Sequence, residues 1–202
     1  VFEYIDLREK INHTMYYPLD DITPAGAWVK NSTRWSLWTV IRTHILNGEL
    51  RVFSPYNPFD FNTKDGYQLK YPVDPEPGLD YYTDTNYRAE MVYFLGTLGI
   101  QSDVAISNSW GDGDSVILQP DGSYETVYPP KDTTWYTSEK IIQYRIKEDW
   151  FFDKQRSVLD VRILAIAPVV YEEEEDSQGQ KSISGMKELF WLYFPHCRFV
   201  FN

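Results

Sequence analysis

Cysteine is nearly absent from this chain of 202 residues, which contains only Cys197. No internal disulfide can form, so the fold must depend on a buried core instead of covalent cross-links. A domain of this length buries roughly 70% of the surface of its unfolded chain, which suffices for such a core. A large core needs no disulfide, so the lone cysteine is compatible with an oxidising or a reducing compartment.

Basic residues are also scarce, because 19 Lys and Arg stand against 30 Asp and Glu, for a formal net charge of −11. Nucleic acids and anionic membrane surfaces attract basic patches. We therefore expect neither as a partner. No apolar run approaches the ~20 residues of a membrane-spanning helix, so we expect no direct membrane span.

Motifs for catalysis and metal binding are missing as well. The chain has no GxSxG, P-loop or GxGxxG pattern. His13, His44 and His196 are not spaced as zinc ligands. Asp112-Gly113-Asp114 has the oxygen spacing of a calcium loop without its further ligands. We expect no catalytic residue, cofactor or metal, and we expect Glu148 to pair with a nearby arginine.

Aromatic residues, in contrast, reach 17% of the chain, with 16 Tyr and 7 Trp. These side chains combine an apolar body with a polar tip, which suits protein interfaces as well as cores. Two functions remain open on this basis. One is a structural protein that binds other proteins, and the alternative is a carbohydrate-binding module or glycan-acting protein of the cell envelope.

The strongest structural pattern lies at about 143–171, where two runs with a period of two flank the turn DKQR. This pattern predicts a long central antiparallel hairpin with one buried face and one charged face. Leu164–Val170 is apolar at both parities, which predicts a strand covered on both faces. The residues expected on the buried face are Tyr144, Ile146, Trp150, Phe152, Leu159, Val161 and Ile163.

The charges of this hairpin indicate its register. A two-residue loop at Lys154-Gln155 would place Asp149 opposite Asp160, and like charges directly opposite are unfavourable. A shift of two residues keeps the faces and places Asp149 opposite Arg162. We therefore predict a bulge or a longer loop.

The rest of the chain predicts an α+β fold with a mostly antiparallel sheet and long irregular loops. Hydrophobic spacing predicts one clear helix at about 33–47, capped by Ser32 or Thr33, and a short strand at 49–53. The Pro- and Gly-rich stretch 54–86 is expected to be irregular. We expect a single domain over residues 1–202, with a possible sub-boundary in 54–86.

Four further segments carry weaker patterns. Residues 87–96 are ambiguous between a helix and a strand, and QPDGSY predicts a hairpin turn. The acidic stretch 172–182 is expected to be a polar loop. Residues 187–201 are expected to close the chain as an aromatic strand, bent or ended at Pro195.

Several blocks resemble a known family. DLREKIN…YYP, WSLWTVI…ILNGEL, YRIKEDWFFDKQRSVLDVRILAIAPV and ELFWLYFPHCRFVF together resemble GldN, called PorN in non-gliding relatives. That family belongs to the gliding-motility and type IX secretion apparatus of Bacteroidetes. The match is collinear and reaches both ends of the chain.

The resemblance implies a non-enzymatic structural protein of the periplasm. It implies a ring beneath the outer membrane, built with the lipoprotein partner GldK/PorK and in contact with the periplasmic part of the motor. It also implies an exported precursor, and the Val1 start fits a chain from which a signal peptide is missing.

Partner contacts are expected on loops held by a rigid scaffold, here 54–86 and 100–135, and on the charged face of the hairpin. Aromatic anchors and charged residues that set register are the expected contact types. The candidate partner-binding residues are Trp110, Trp135, Tyr81, Tyr82, Arg145 and Arg162.

Overall fold

The computed structural model describes residues 1–60, 62–99, 102–111, 113–129, 133–175 and 180–201. The strands, in chain order, are β1 (Phe2–Asp6), β2 (Asp21–Ile22), β3 (Trp28–Val29), β4 (Val52–Phe53), β5 (Pro72–Val73), β6 (Gly96–Leu98), β7 (Val116–Leu118), β8 (Tyr124–Thr126), β9 (Thr133–Trp135), β10 (Ile141–Asp153), β11 (Val158–Glu175), β12 (Lys181–Glu188) and β13 (Trp191–Tyr193). The helices are α1 (His13–Tyr16), α2 (Leu37–Leu46), α3 (Thr85–Leu95) and α4 (Phe194–Cys197).

The main sheet has the strand order β1-β10-β11-β13-β4-β5, and β12 also pairs with β11. Every strand pair in the described part of the chain is antiparallel. The predicted α+β class with a mostly antiparallel sheet is therefore confirmed. None of the helices among the described residues has the length and apolar character that crossing a membrane requires.

The register of the central hairpin agrees with the argument from charge. Asp149 lies opposite Arg162, and the connection runs from Lys154 to Ser157. The register shifts twice, once between Ile141 and Gln143 and once between Lys147 and Glu148. At the second shift Lys147 faces Ala165 while Glu148 faces Ile163, which leaves Leu164 as an extra residue on β11. Both of the predicted features, a bulge and a longer loop, are present.

The helix predicted at 33–47 begins later than expected. Its N-cap is Ser36, whose hydroxyl accepts a hydrogen bond from the Thr39 amide at 3.2 Å, instead of Ser32 or Thr33. Trp38, Ile41 and Ile45 form its buried face. The ambiguous segment 87–96 is mostly helical, so the expectation of one clear helix missed α3.

The core lies where α2 and α3 face one side of the sheet. The rings of Trp38 and Phe190 stack with centroids 6.2 Å apart, and Phe94 meets Phe190 edge-on at 6.5 Å. A smaller cluster around Trp191 covers the other side of the sheet at Ala165 and Ala167. Both faces of β11 are therefore buried from Ala165 to Val170, as its apolar run predicted.

Two predictions near the C-terminus were wrong in part. The acidic stretch 172–182 is not a loop throughout, since β11 continues to Glu175 and β12 begins at Lys181. Residues 176–179 lie outside the described part of the chain. The aromatic segment 187–201 is a strand only at its start, where β12 ends at Glu188 and β13 spans Trp191–Tyr193. The strand ends close to Pro195, as predicted, and the helical turn α4 follows.

A buried polar cluster around Asp20 joins three segments that are distant in sequence. One carboxylate oxygen of Asp20 accepts hydrogen bonds from the Ser138 amide and hydroxyl, with the amide at 2.5 Å. The other accepts from the Trp28 indole at 2.5 Å and from the Thr39 hydroxyl at 3.1 Å. The carboxylate thus ties the segment before β2 to α2 and to the turn before β10.

Arg42 supplies the opposite charge to this cluster. Its guanidinium lies over the rings of Trp28, at 4.0 Å, and Trp135, at 4.9 Å. Burial lowers the pKa of Arg42 to about 10, and the charge of Asp20 opposes that shift. The cation is therefore held by two aromatic faces and by a nearby buried carboxylate.

Replacing Asp20 by Asn should lower the free energy of unfolding by about 3 kcal/mol, because one of the two carboxylate oxygens becomes an amide nitrogen, which cannot accept the hydrogen bonds of the buried donors. Urea unfolding followed by tryptophan fluorescence measures this loss. The matched control is Asp149→Asn on the exposed surface of β10, which should change stability by less than about 0.5 kcal/mol. An unchanged midpoint for Asp20→Asn would contradict the role given to the carboxylate.

The buried tyrosines should make the fold sensitive to alkali. Burial raises the pKa of Tyr87 and of Tyr136 to about 12, and it raises the pKa of Tyr144. The unfolded chain releases these protons near pH 10. Stability is therefore complete below about pH 10 and is lost as the pH rises toward the folded-state pKa values.

The urea midpoint should accordingly fall as the pH rises from about 9 to 11. The fall should be smaller in Tyr136→Phe, which removes one buried phenol, than in Tyr124→Phe, whose ring is exposed. Identical pH profiles for these two variants would refute the assignment to buried tyrosines.

Candidate interaction surface

The outer half of the central hairpin leaves the sheet as a two-stranded ribbon. The pairing of β1 with β10 ends where Phe2 lies opposite Lys147, and β13 pairs with β11 only at Ala165 and Ile166. Beyond these points, among the described residues, β10 and β11 pair only with each other, apart from two backbone hydrogen bonds between Glu148 and Val1. We call this ribbon, residues 148–163, the arm.

One face of the arm is apolar and exposed. Residues directly opposite in an antiparallel pair share a face, which groups Trp150 with Val161 and Phe152 with Leu159. Their exposed fractions are 43% for Trp150, 60% for Phe152, 59% for Leu159 and 42% for Val161. The prediction that these four residues are buried was therefore wrong.

The alternating apolar pattern does place these four side chains on one face, but the neighbouring strands are too short to cover that face. β13 and β4 span only Trp191–Tyr193 and Val52–Phe53, so they cover the centre of β11 and not its outer end. The bulge at Leu164 keeps the apolar side chains of the arm on the face that carries Ile166 nearer the core. The core face of the sheet therefore continues outward as an uncovered apolar surface.

The other face of the arm is charged. Asp149 lies opposite Arg162, and the Arg162 guanidinium lies 5.4 Å from the ring centroid of Phe151. At the tip, Arg156 forms ion pairs with Asp153 at 2.8 Å and with Asp160 at 3.3 Å. The hydrogen bonds from Arg156 hold the pKa of Asp153 below its usual value.

Glu148, at the base of the arm, does not pair with an arginine as predicted. Its carboxylate accepts a hydrogen bond from the indole of Trp150 at 2.9 Å. Its backbone exchanges two hydrogen bonds with Val1, each of 2.9 Å. The residue therefore anchors the start of β1 and orients the first aromatic ring of the arm.

The candidate partner-binding residues divide into two groups. Trp110, Tyr82 and Arg162 are exposed. Tyr81 and Trp135 are half-buried and pack against the main core.

Arg145 belongs with the half-buried group. It is ion-paired with Glu188 and lies over the rings of Phe2, at 4.7 Å, and Tyr4, at 5.4 Å. A partner-binding role for all six candidate residues stays a prediction.

A second surface that the sequence did not reveal is a groove of about 620 Å³ at the other end of β11. Its walls come from the loop at 54–58, from β5 and the preceding Tyr71, from α3, and from β11 and β12. The groove is lined by Ser54, Pro55, Tyr56, Pro58, Tyr71, Pro72, Val73, Glu90, Tyr93, Phe94, Glu172, Lys187, Glu188 and Leu189. It is mostly apolar, and its charged lining residues are Glu90, Glu172, Lys187 and Glu188, the last of which is ion-paired with Arg145.

Metal ligands do not converge in the described part of the chain, where no group of three or more His, Cys, Asp or Glu side chains could hold an ion. Asp112 of the Asp112-Gly113-Asp114 motif lies outside the described residues. Cys197 is buried, and burial raises the pKa of its thiol to about 12. The thiol is therefore protonated and shielded at neutral pH.

Comparison with known families agrees with the resemblance seen in the sequence. The family described as gliding motility associated protein GldN matches residues 1–202, which is the whole chain. None of the curated proteins compared with the chain matches it. The chain therefore belongs to the GldN family and is a component of the gliding-motility and type IX secretion machinery.

Proposed function

We propose that the chain is a non-enzymatic structural subunit of the periplasmic ring of this machinery, assembled with the outer-membrane lipoprotein GldK/PorK. The observation that carries the proposal is the exposed apolar face of the arm. A contiguous apolar surface rimmed by charge is typical of a protein-binding site. In this assignment the protein works by assembly, and its location is the periplasm, held at the outer membrane through its partner.

The same proposal treats residues 1–202 as one domain that presents several contact surfaces. The main core supports this, because it takes Leu50 and Val52 from before the Pro-rich stretch, Val73 from within it, and Tyr87 and Met91 from after it. A shared core across 54–86 would fix the loops relative to the arm. The contact surfaces of the subunit would then keep fixed positions relative to one another.

Within this proposal the exposed candidates make the partner contacts. Trp110, Tyr82 and Arg162 can reach a partner without unfolding any part of the described structure. Tyr81, Trp135 and Arg145 act indirectly, since they hold the surrounding loops and strands against the core. Contact with the periplasmic part of the motor is proposed on the same surfaces.

The proposed function is tested by capture from an envelope extract of the source cells. The 202-residue chain carrying an affinity tag should retain the lipoprotein, and light scattering after size exclusion should show several copies of each protein. Retention of envelope glycans without the lipoprotein would instead favour the carbohydrate-binding alternative. Capture of neither would contradict the assignment.

Trp110→Ala should reduce capture of the lipoprotein about tenfold while leaving the melting temperature unchanged, because the Trp110 side chain is 85% exposed and can act as an interface anchor. Phe59→Ala is the matched control, since this aromatic side chain is 96% exposed in another loop. Undiminished capture by Trp110→Ala would remove Trp110 from the contact.

A further inference from the structure

The arm and the groove lie at opposite ends of the same strand. The arm uses β11 up to Ile163, and the groove includes Glu172 of β11 and the end of β12, which pairs with β11 at Val169 and Val170. At about 3.3 Å per residue, Leu159 and Glu172 are separated by roughly 40 Å. The arm therefore cannot fold back into the groove of its own chain.

The arm is poorly stabilised by itself. A two-stranded ribbon is marginally stable in water unless its apolar face is covered. Trp150, Phe152, Leu159 and Val161 are all more than 40% exposed. Covering this face would stabilise the ribbon and remove the apolar surface from water.

The groove offers the kind of surface that would cover it. Pro55, Tyr56, Tyr71 and Tyr93 present rings and apolar edges around its volume of about 620 Å³. Sites of this size and lining typically take apolar and aromatic groups, with few polar contacts to set orientation. Two aromatic side chains are of the right kind to fill it.

Charge also matches between the two surfaces. Among the described residues, Lys154 at the arm tip has no carboxylate within 4.0 Å. Glu90 and Glu172 of the groove likewise have no Lys, Arg or His nitrogen within 4.0 Å among the described residues. The groove wall partly desolvates Glu90, which raises the pKa of its carboxyl. A cation supplied from outside would relieve that cost.

We propose that the arm of one copy of this chain docks into the groove of the next copy, with Trp150 and Phe152 inserted and Lys154 beside Glu90 and Glu172. The inference rests on the proposed function and names the surfaces through which the copies meet. Because the two surfaces differ, the contact is head-to-tail, and such contacts close into a ring when the rotation between copies allows it.

Cysteine cross-linking tests the contact directly, because the native Cys197 is buried. Phe152→Cys and Tyr93→Cys are purified separately and mixed under mild oxidation. A disulfide-linked dimer is expected in the mixture, at several times the yield of either protein alone. Phe152→Cys mixed with Tyr124→Cys, on exposed β8 outside the groove, is the control and should give no such excess.

Three outcomes overturn the proposal. These are no excess dimer in the mixture, equal dimer from the Tyr124→Cys control, or equal dimer from Phe152→Cys alone, which would indicate arm-to-arm pairing of two copies.

Charge provides an independent test of the same contact. Leu159→Asp should weaken self-association at least tenfold in sedimentation velocity. Leu118→Asp is the matched control and should not weaken it, because the two leucines are equally exposed, at 59% and 60%.

Lys154→Glu should weaken the cross-link between copies, and pairing it with a Glu90→Lys copy should restore it. Equal effects of the two leucine variants, or failure of the charge swap to restore the cross-link, would overturn the docking.

Capture of the lipoprotein separates this inference from the proposed function. If Leu159→Asp still retains the lipoprotein while head-to-tail cross-linking is lost, both the docking and the ring assignment hold. If the wild type retains the lipoprotein but shows no arm-to-groove cross-link, the docking is wrong and the proposed function stands. If cross-linking occurs without lipoprotein capture, the docking holds and the assembly partner is wrong.

Discussion

The pairing of β10 with β11 is the constraint on which the rest of the molecule depends. These two strands run from Ile141 to Glu175 with one turn between them, far beyond the reach of the short strands beside them. Where neighbours and helices cover the pair, its side chains form the core. Where they end, the same alternating pattern produces a surface. The same alternation of side chains along the paired strands therefore forms both the buried core and the exposed apolar surface of the arm.

The Asp20 cluster holds irregular segments of the chain against this sheet. Ser138 and Thr39 reach the carboxylate from two sides, while Arg42 supplies a buried positive charge between two tryptophan rings. Such a cluster stabilises only when its members are satisfied together. Satisfaction is incomplete here, because Nε and Nη1 of Arg42 and the buried Tyr144 hydroxyl have no hydrogen-bond partner among the described residues.

Local patterns predicted much of the fold. Charge repulsion was enough to predict that Asp149 faces Arg162, because cross-strand pairs interact directly. Exposure of Trp150 was not predictable in that way, since it depends on how far other strands extend. The strand at Glu172–Glu175 was also not predicted from the sequence, because its pairing with β12 overrides the unfavourable run of like charges. The groove joins segments distant in sequence, so no single stretch could predict it.

The extra residue at Leu164 limits how the hairpin can vary in length. Side chains alternate between faces with a period of two, so inserting one residue between Val161 and Leu164 would turn Leu159 and Val161 to the charged side. Inserting two residues in each strand would instead lengthen the ribbon by about 7 Å and preserve both faces. Related chains that keep the same outer surface should therefore differ in hairpin length by even steps, matched in the two strands.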